Sequence, residues 1–333
     1  MKHYNIPVFV SHMGCPHDCV FCSQRTITGI SEEMTPQKAK EIIDRYFEDI
    51  HPEGYVEIAF FGGSFTGIDS ELRRSLLKVA KEYIDKGLAH GIRLSTRPDY
   101  IDDEVLKELE SFGVTAIELG VQSLDDEVLK KSGRGHDSLC VEKAVSCIRK
   151  YDFELGLQMM TGLPGDTFEK SVFTAKKISS LMPDTVRVYP TLVIRSTALE
   201  RMMCRGEYKP WTVAETVDLL AEIKEIFDSA GIRIIRMGLQ NTDEITPGAS
   251  VVGGPFHEAI GELAQSRVFL KKLCLLAEQC PDQCLNIGCN SREVSKIVGH
   301  KRANAQEIEL RYKKRLKLWP DSNISAGELR LLR

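Results

Sequence analysis

The sequence has no long hydrophobic run. No stretch approaches the roughly 18 consecutive apolar residues that a membrane-spanning helix requires, so no spanning helix and no membrane partner are expected. A targeting leader is lacking too. The opening "MKHYNIPVFV" is too short and too interrupted for a signal peptide and reads as a first strand, which leaves a cytoplasmic chain as the expectation. There is no low-complexity tract. A large net charge is lacking as well: 44 Lys/Arg against 48 Asp/Glu leave −4 over 333 residues, which argues weakly against nucleic acid. That small number hides an asymmetry. From Asn290 to Arg333 eleven Lys/Arg stand against five Asp/Glu, a local +6 that leaves −10 for the rest. A basic face on the C-terminal part accounts for this, and so does a solvated helix face.

Cysteine is what the chain does have, ten in all. In a reducing compartment these are thiols or metal ligands rather than disulfides. Cys140, Cys147, Cys204 and Cys274 sit in apolar or amphipathic contexts that suit small core residues. The run "GCPHDCVFC" is different. Cys15, Cys19 and Cys22 follow the spacing C-x3-C-x2-C. Tetrahedral zinc would need a fourth side chain, and His17, inside the same loop, would be crowded there. Three thiolates on one tight loop suit a 4Fe–4S cluster whose remaining iron is open to a small molecule. Cys280, Cys284 and Cys289, with His300 as a further donor, match no tight-loop pattern and leave a second metal open.

The first 240 residues alternate between short apolar or β-branched runs and amphipathic helices. Six strands are expected at "NIPVFV", "YVEIAFF", "IRLST", "VTAIELGVQ", "FELGLQMM" and "TVRVYP". Between them lie helices with readable starts and stops, such as Thr35 before Pro36, and Gly87 and Gly113 at two ends. Six repeats of near-continuous apolar strands imply an α/β fold, an incomplete (β/α)6 TIM-type barrel over residues 1–240 with a C-terminal α/β extension over 241–333. In such folds chemistry gathers after the strands. The unusual segments do follow strands: "GCPHDCVFC", "GGSFTG", "TRPD", "GVQS", "TGLPGDT" and "PTLVIRST".

These residues carry a resemblance. The cysteine loop after the first strand and the Gly62-Gly63 pair after the second are similar to those of the radical S-adenosylmethionine (SAM) superfamily. The strings "TRPDYI", "RGH" and "YPTLVIRSTALE" look like the radical SAM part of the Elongator catalytic subunit. The chain resembles short members of that group without the acetyltransferase domain, because the 95 or so residues after the barrel do not read as an acetyl-CoA fold. The resemblance implies an enzyme, an oxidoreductase in the broad sense, with a 4Fe–4S cluster on Cys15, Cys19 and Cys22. SAM would complete the cluster and be cleaved reductively to a 5′-deoxyadenosyl radical. It implies cofactor contacts from Phe21, Gly62, Gly63, Ser64, Gln122, Arg134 and Gly162, and an external one-electron donor such as a ferredoxin or flavodoxin. A structural hydrogen bond would explain Gln122, and a helix-end cation Arg134, without any cofactor.

Tyr189, Thr191 and Arg195 are candidates for the substrate side of the barrel mouth. A tRNA nucleoside is the first expectation for substrate. "VSKIVGHKRANAQEI" resembles the backbone-clamping loop of KH-type RNA modules, although the second glycine of that pattern is missing, and it offers Lys301 and Arg302 to phosphates. The alternatives are a small metabolite, as in coproporphyrinogen oxidases, and a cluster-bearing RNA-binding protein without turnover.

Overall fold

The computed structural model describes residues 2–10, 13–15, 19–23, 33–49, 53–239 and 245–332. His17 lies outside them. The described chain divides into two compact units. One comprises residues 1–211 and 230–256, the other 212–229 and 257–333.

The first unit is built on a parallel sheet. Its strands are β1 (His3–Phe9), β2 (Tyr55–Phe61), β3 (Gly91–Thr96), β4 (Val114–Gln122), β5 (Glu154–Thr161) and β6 (Thr185–Pro190). All six expected strands are present and pair in sequence order. A seventh strand, Arg233–Met237, joins β6 in parallel and extends the six-repeat expectation by one. The result is a partial TIM-type barrel.

Alternation along the strands explains why the sheet forms. One face carries Ile58, Phe60, Ile92, Leu94, Ile117, Leu119, Leu155 and Val188, all fully buried. Burying a side chain of this size contributes about 1.5–3 kcal/mol. The helices between the strands are set by side-chain caps. Asp69, Asp102, Asp125, Asp137 and Thr167 each accept a hydrogen bond from a first-turn amide. The Thr35 hydroxyl does the same for Lys38 before the helix Pro36–Asp49. Gly87 and Gly113 stand at positive φ just beyond two helix ends, as expected of stop signals. After β6 in the chain, Val193–Ile194 forms a separate short antiparallel pair with Val251–Gly253.

The second unit has a three-stranded sheet. Its central strand is Cys284–Cys289, flanked in parallel by Arg315–Pro320 and antiparallel by Leu329–Leu331. The helix Ile260–Gln279 places Phe269, Leu273 and Ala277 against Leu285, Ile287 and Cys289. The helix Val213–Ser229 belongs to this unit although its sequence lies between two strands of the barrel. Lys271 ties the two helices through Glu222 and Glu225, and Arg267 through Asp218. Among the described residues no helix is long and apolar enough to cross a membrane.

Candidate active site

The cysteine loop is seated on the turn after β2. The amide of Val10 donates to the Phe61 carbonyl at 2.7 Å, and that of Ser64 to the Met13 carbonyl at 3.0 Å. This approach explains two glycines. A Cβ on Gly14 would stand 2.2 Å from the Ser64 carbonyl oxygen, and one on Gly63 2.4 Å from that of Val10. Neither position tolerates a side chain. Gly62 adds a positive φ of 91°. Ser64 is fully buried, and its hydroxyl pairs with that of Thr96 at 2.9 Å. It also accepts from the Arg97 amide, so Ser64 joins the ends of β2 and β3.

The far side of the loop is anchored by Val20, whose amide donates to Ser132 and whose carbonyl accepts from Leu199. Phe21 is half-buried and packs on two apolar clusters, Val128, Met160 and Leu163, and Val193, Leu199 and Tyr208. The Cys22 amide closes a turn onto the Cys19 carbonyl.

Two guanidiniums face the cysteines. Arg134, buried, directs Nη1 to the Cys19 sulfur at 3.4 Å and Nη2 to the Gly120 carbonyl. Arg97, also buried, grips both carboxylate oxygens of Asp99 at 2.8 Å and the carbonyl of Arg134 at 2.6 Å. Desolvation pushes the Cys15 thiol up and the neighbouring Cys19 adds to this, while Arg97 and Arg134 pull it down. Burial, then the charges of Arg134 and Arg97, press His136 down to about 4, so its ring is neutral. Arg97 Nη1 and Arg134 Nε are buried donors without a protein partner. Two cationic side chains, each with an unsatisfied N–H, beside thiols suit a bound anionic group.

Among the described residues no three His, Cys, Asp or Glu side chains converge on a single-ion site. That is compatible with a cluster, whose ligands attach to different iron atoms. It applies equally to Cys280, Cys284 and Cys289. Cys280 and Cys289 are buried among apolar side chains of the second unit, and the Cys280 thiol leans on the Cys284 carbonyl at 3.7 Å.

Gln122 ends β4 at a positive φ of 67°, beside an irregular register with β5. A non-glycine residue held there is strained. Its side-chain oxygen accepts from Gln158 at 3.3 Å. Gly162 has both backbone groups engaged: its amide donates to Asp166, and its carbonyl accepts from the Tyr208 hydroxyl, each at 2.7 Å. The ring of Trp211 covers its open side.

The second face of the barrel sheet is charged, which the apolar look of the strands hid. Glu57, Arg93, Glu118 and Arg187 form a chain across β2, β3, β4 and β6. Arg93 reaches Glu57 at 2.8 Å and Glu118 at 3.3 Å, and Arg187 holds Glu118 with two bonds of 2.6 and 3.0 Å. The sequence signal was there, as a single charge at an alternate position in "YVEIAFF", "IRLST", "AIELG" and "TVRVYP". Arg97, Asp99 and His136 likewise lie within the strings "TRPDYI" and "RGH", where sequence alone gives them no role. Burial pushes the Tyr189 phenol up, with Arg187 pulling the other way. Thr191 is buried, with its hydroxyl on the Thr161 carbonyl at 2.7 Å. Arg195 is exposed and reaches the Ala249 carbonyl. In the second unit Lys301 and Arg302 are exposed, at φ of 50° and 64° in the turn before the helix Ala303–Tyr312.

Comparison with known proteins identifies two family models along the chain. Residues 10–178 match the model of the Radical SAM superfamily, and residues 183–269 that of the Radical SAM C-terminal domain. A tRNA uridine(34) acetyltransferase of Methanocaldococcus infernus is 26% identical over 315 residues, covering 83% of this chain and 58% of the relative. An uncharacterized protein of Methanocaldococcus jannaschii is 29% identical, covering 67% of this chain and 72% of that one. The solved archaeal Methanocaldococcus infernus Elp3 with its N-terminus deleted superposes with a TM-score of 0.65 at 25% identity, covering 81% of this chain and 63% of that one. The chain thus spans little more than half the length of the first curated relatives it matches.

Proposed function

Because the chain belongs to the radical SAM superfamily, we propose that it performs radical chemistry on a nucleoside within tRNA. Its cofactors are a 4Fe–4S cluster and SAM, and an external electron donor is required, as in the family at large. When bound, they supply reductive cleavage of SAM to a 5′-deoxyadenosyl radical that abstracts hydrogen from substrate.

The residues present fit that pair on two observations: three cysteines on one loop, and two buried guanidinium donors beside them without partners. Cys15, Cys19 and Cys22 would hold the iron. Arg134 and Arg97 offset the negative charge of thiolates and sulfides. Gly62 and Gly63 let backbone approach the loop closely, with Ser64 fixing the turn they make. Phe21 and Gly162 would flank the nucleoside, and the strained Gln122 would line the same cavity. The charged chain Glu57–Arg93–Glu118–Arg187 holds the strands in register beneath. Tyr189, Thr191 and Arg195 fall on the substrate side.

Residues 1–240 then carry the radical chemistry, and the extension 241–333 carries contacts to RNA through Lys301 and Arg302. The electron donor would be a ferredoxin or flavodoxin, and the setting cytoplasmic. The single observation that carries the substrate is the match to relatives named for tRNA uridine 34.

Retention of tRNA as a function of salt tests this. The loaded enzyme should bind tRNA with an affinity that falls steeply with salt. Lys301→Ala with Arg302→Ala should weaken binding and flatten the slope by about 1–2. If SAM is cleaved but tRNA is not retained at any salt concentration, the substrate is a small molecule instead.

A further inference from the structure

The outward face of the three-stranded sheet in the second unit has no part in the cluster chemistry. Strand parity defines it. Leu316, Leu318, Leu329 and Leu331 pack on the core of the unit, as do Leu285 and Ile287. The residues between them therefore point the other way: Arg315, Lys317 and Trp319 on one outer strand, Asn286 on the central strand and Arg330 on the other.

Three properties of this face go together. Trp319 is 56% exposed, at a position where its neighbour across the ladder is Gly288. Its indole N–H donates to Asn286 Oδ1 at 3.4 Å, which fixes the ring's edge. Arg315 and Lys317 precede it on the same side, both exposed. Among the described residues they take no carboxylate partner, whereas Arg330 pairs with Glu328. Finally, the face lies in the segment that carries +6 in a chain of net −4.

From these we infer that this sheet face is a binding platform for single-stranded RNA, with one base stacked on Trp319 and the adjoining phosphates met by Lys317 and Arg315. Residues two apart on a strand are about 6.6 Å apart, comparable to the step between nucleotides in an extended strand. A sheet that offers an aromatic ring and flanking cations is how single-stranded nucleic acid is held without sequence reading. Charge complementarity selects this occupant over an acidic-poor apolar peptide. The inference rests on the tRNA reading and adds a place and a mode of contact to it.

Binding of a labelled oligouridylate and of a tRNA transcript to the full chain, read by fluorescence anisotropy, tests it. Trp319→Ala should weaken both by roughly tenfold or more, while Trp319→Phe keeps most of the affinity. Arg315→Ala with Lys317→Ala should reduce the salt slope on the single strand by about 1.4. Circular dichroism of each variant should match the parent, since the replaced side chains are exposed. If the parent binds both RNAs and Trp319→Ala binds them equally well, the platform is overturned while the tRNA reading stands. If the parent binds neither, both are overturned. Loss of a dimer in Trp319→Ala with unchanged RNA affinity would assign the face to a second copy and overturn the inference.

Discussion

Arg97 is the side chain through which three motifs meet. Its amide is tied to Ser64 on the glycine turn, its guanidinium holds Asp99 and the Arg134 carbonyl, and its charge acts on Cys15 and Cys19. One of its N–H groups is buried and unmatched. A cation placed there should make a bound cluster easier to reduce. Arg97→Gln is therefore expected to lower the cluster's reduction potential by tens of millivolts, at about 59 mV per tenfold for one electron. Redox titration followed by electron paramagnetic resonance reads this directly. The double change Arg97→Gln with Asp99→Asn separates loss of charge from the stranded carboxylate. An unchanged potential in both would reduce Arg97 to a structural residue. "TRPDYI" was legible as a signature and holds one partner of its arginine, Asp99, but the second partner was not legible. The contact with Arg134 joins residues 37 positions apart, and no local pattern encodes it.

At the scale of elements, the strands were legible because their buried face is almost purely aliphatic. The charged second face was not. One Glu or Arg inside an apolar run reads as an interruption until neighbouring strands supply its partner. Burial by itself would push the Glu57 carboxyl up; attraction to Arg93 and hydrogen bonds from Thr115 and Arg93 outweigh it and hold it low. A depressed carboxylate stabilises the fold above its unfolded value, near 4.5, and that stability is lost as pH falls through the folded value. Glu57→Gln should thus cost about 1.5–3 kcal/mol at pH 7, because buried Arg93 loses the charge of its nearest partner while keeping Glu118 and Glu154. It should also make stability less dependent on pH on the acid side. Urea unfolding at pH 7 and below pH 4 measures both, and equal stability of variant and parent at pH 7 would contradict the assignment. The grouping of Val213–Ser229 with the second unit was equally hidden, since its amphipathic pattern fits either set of neighbours.

At the scale of the molecule, the charge asymmetry seen in the sequence has a structural counterpart. The barrel unit buries Arg93, Arg97 and Arg134 in polar networks, whereas the second unit leaves Lys301, Arg302, Arg315 and Lys317 exposed. The cysteine loop was legible from spacing and from its place after β1. The residues that receive it were legible only in part, because Gly63 and Gly14 are explained by backbone approach between segments about 50 residues apart. The central claim is that Cys15, Cys19 and Cys22 hold a cluster that cleaves SAM. Anaerobic reconstitution with iron and sulfide, followed by reduction in the presence of SAM, tests it most directly. The expected result is about four irons per chain and formation of 5′-deoxyadenosine, both lost in Cys19→Ala. Formation of 5′-deoxyadenosine by Cys19→Ala at the parent's rate, or none by the iron-loaded parent, would contradict it.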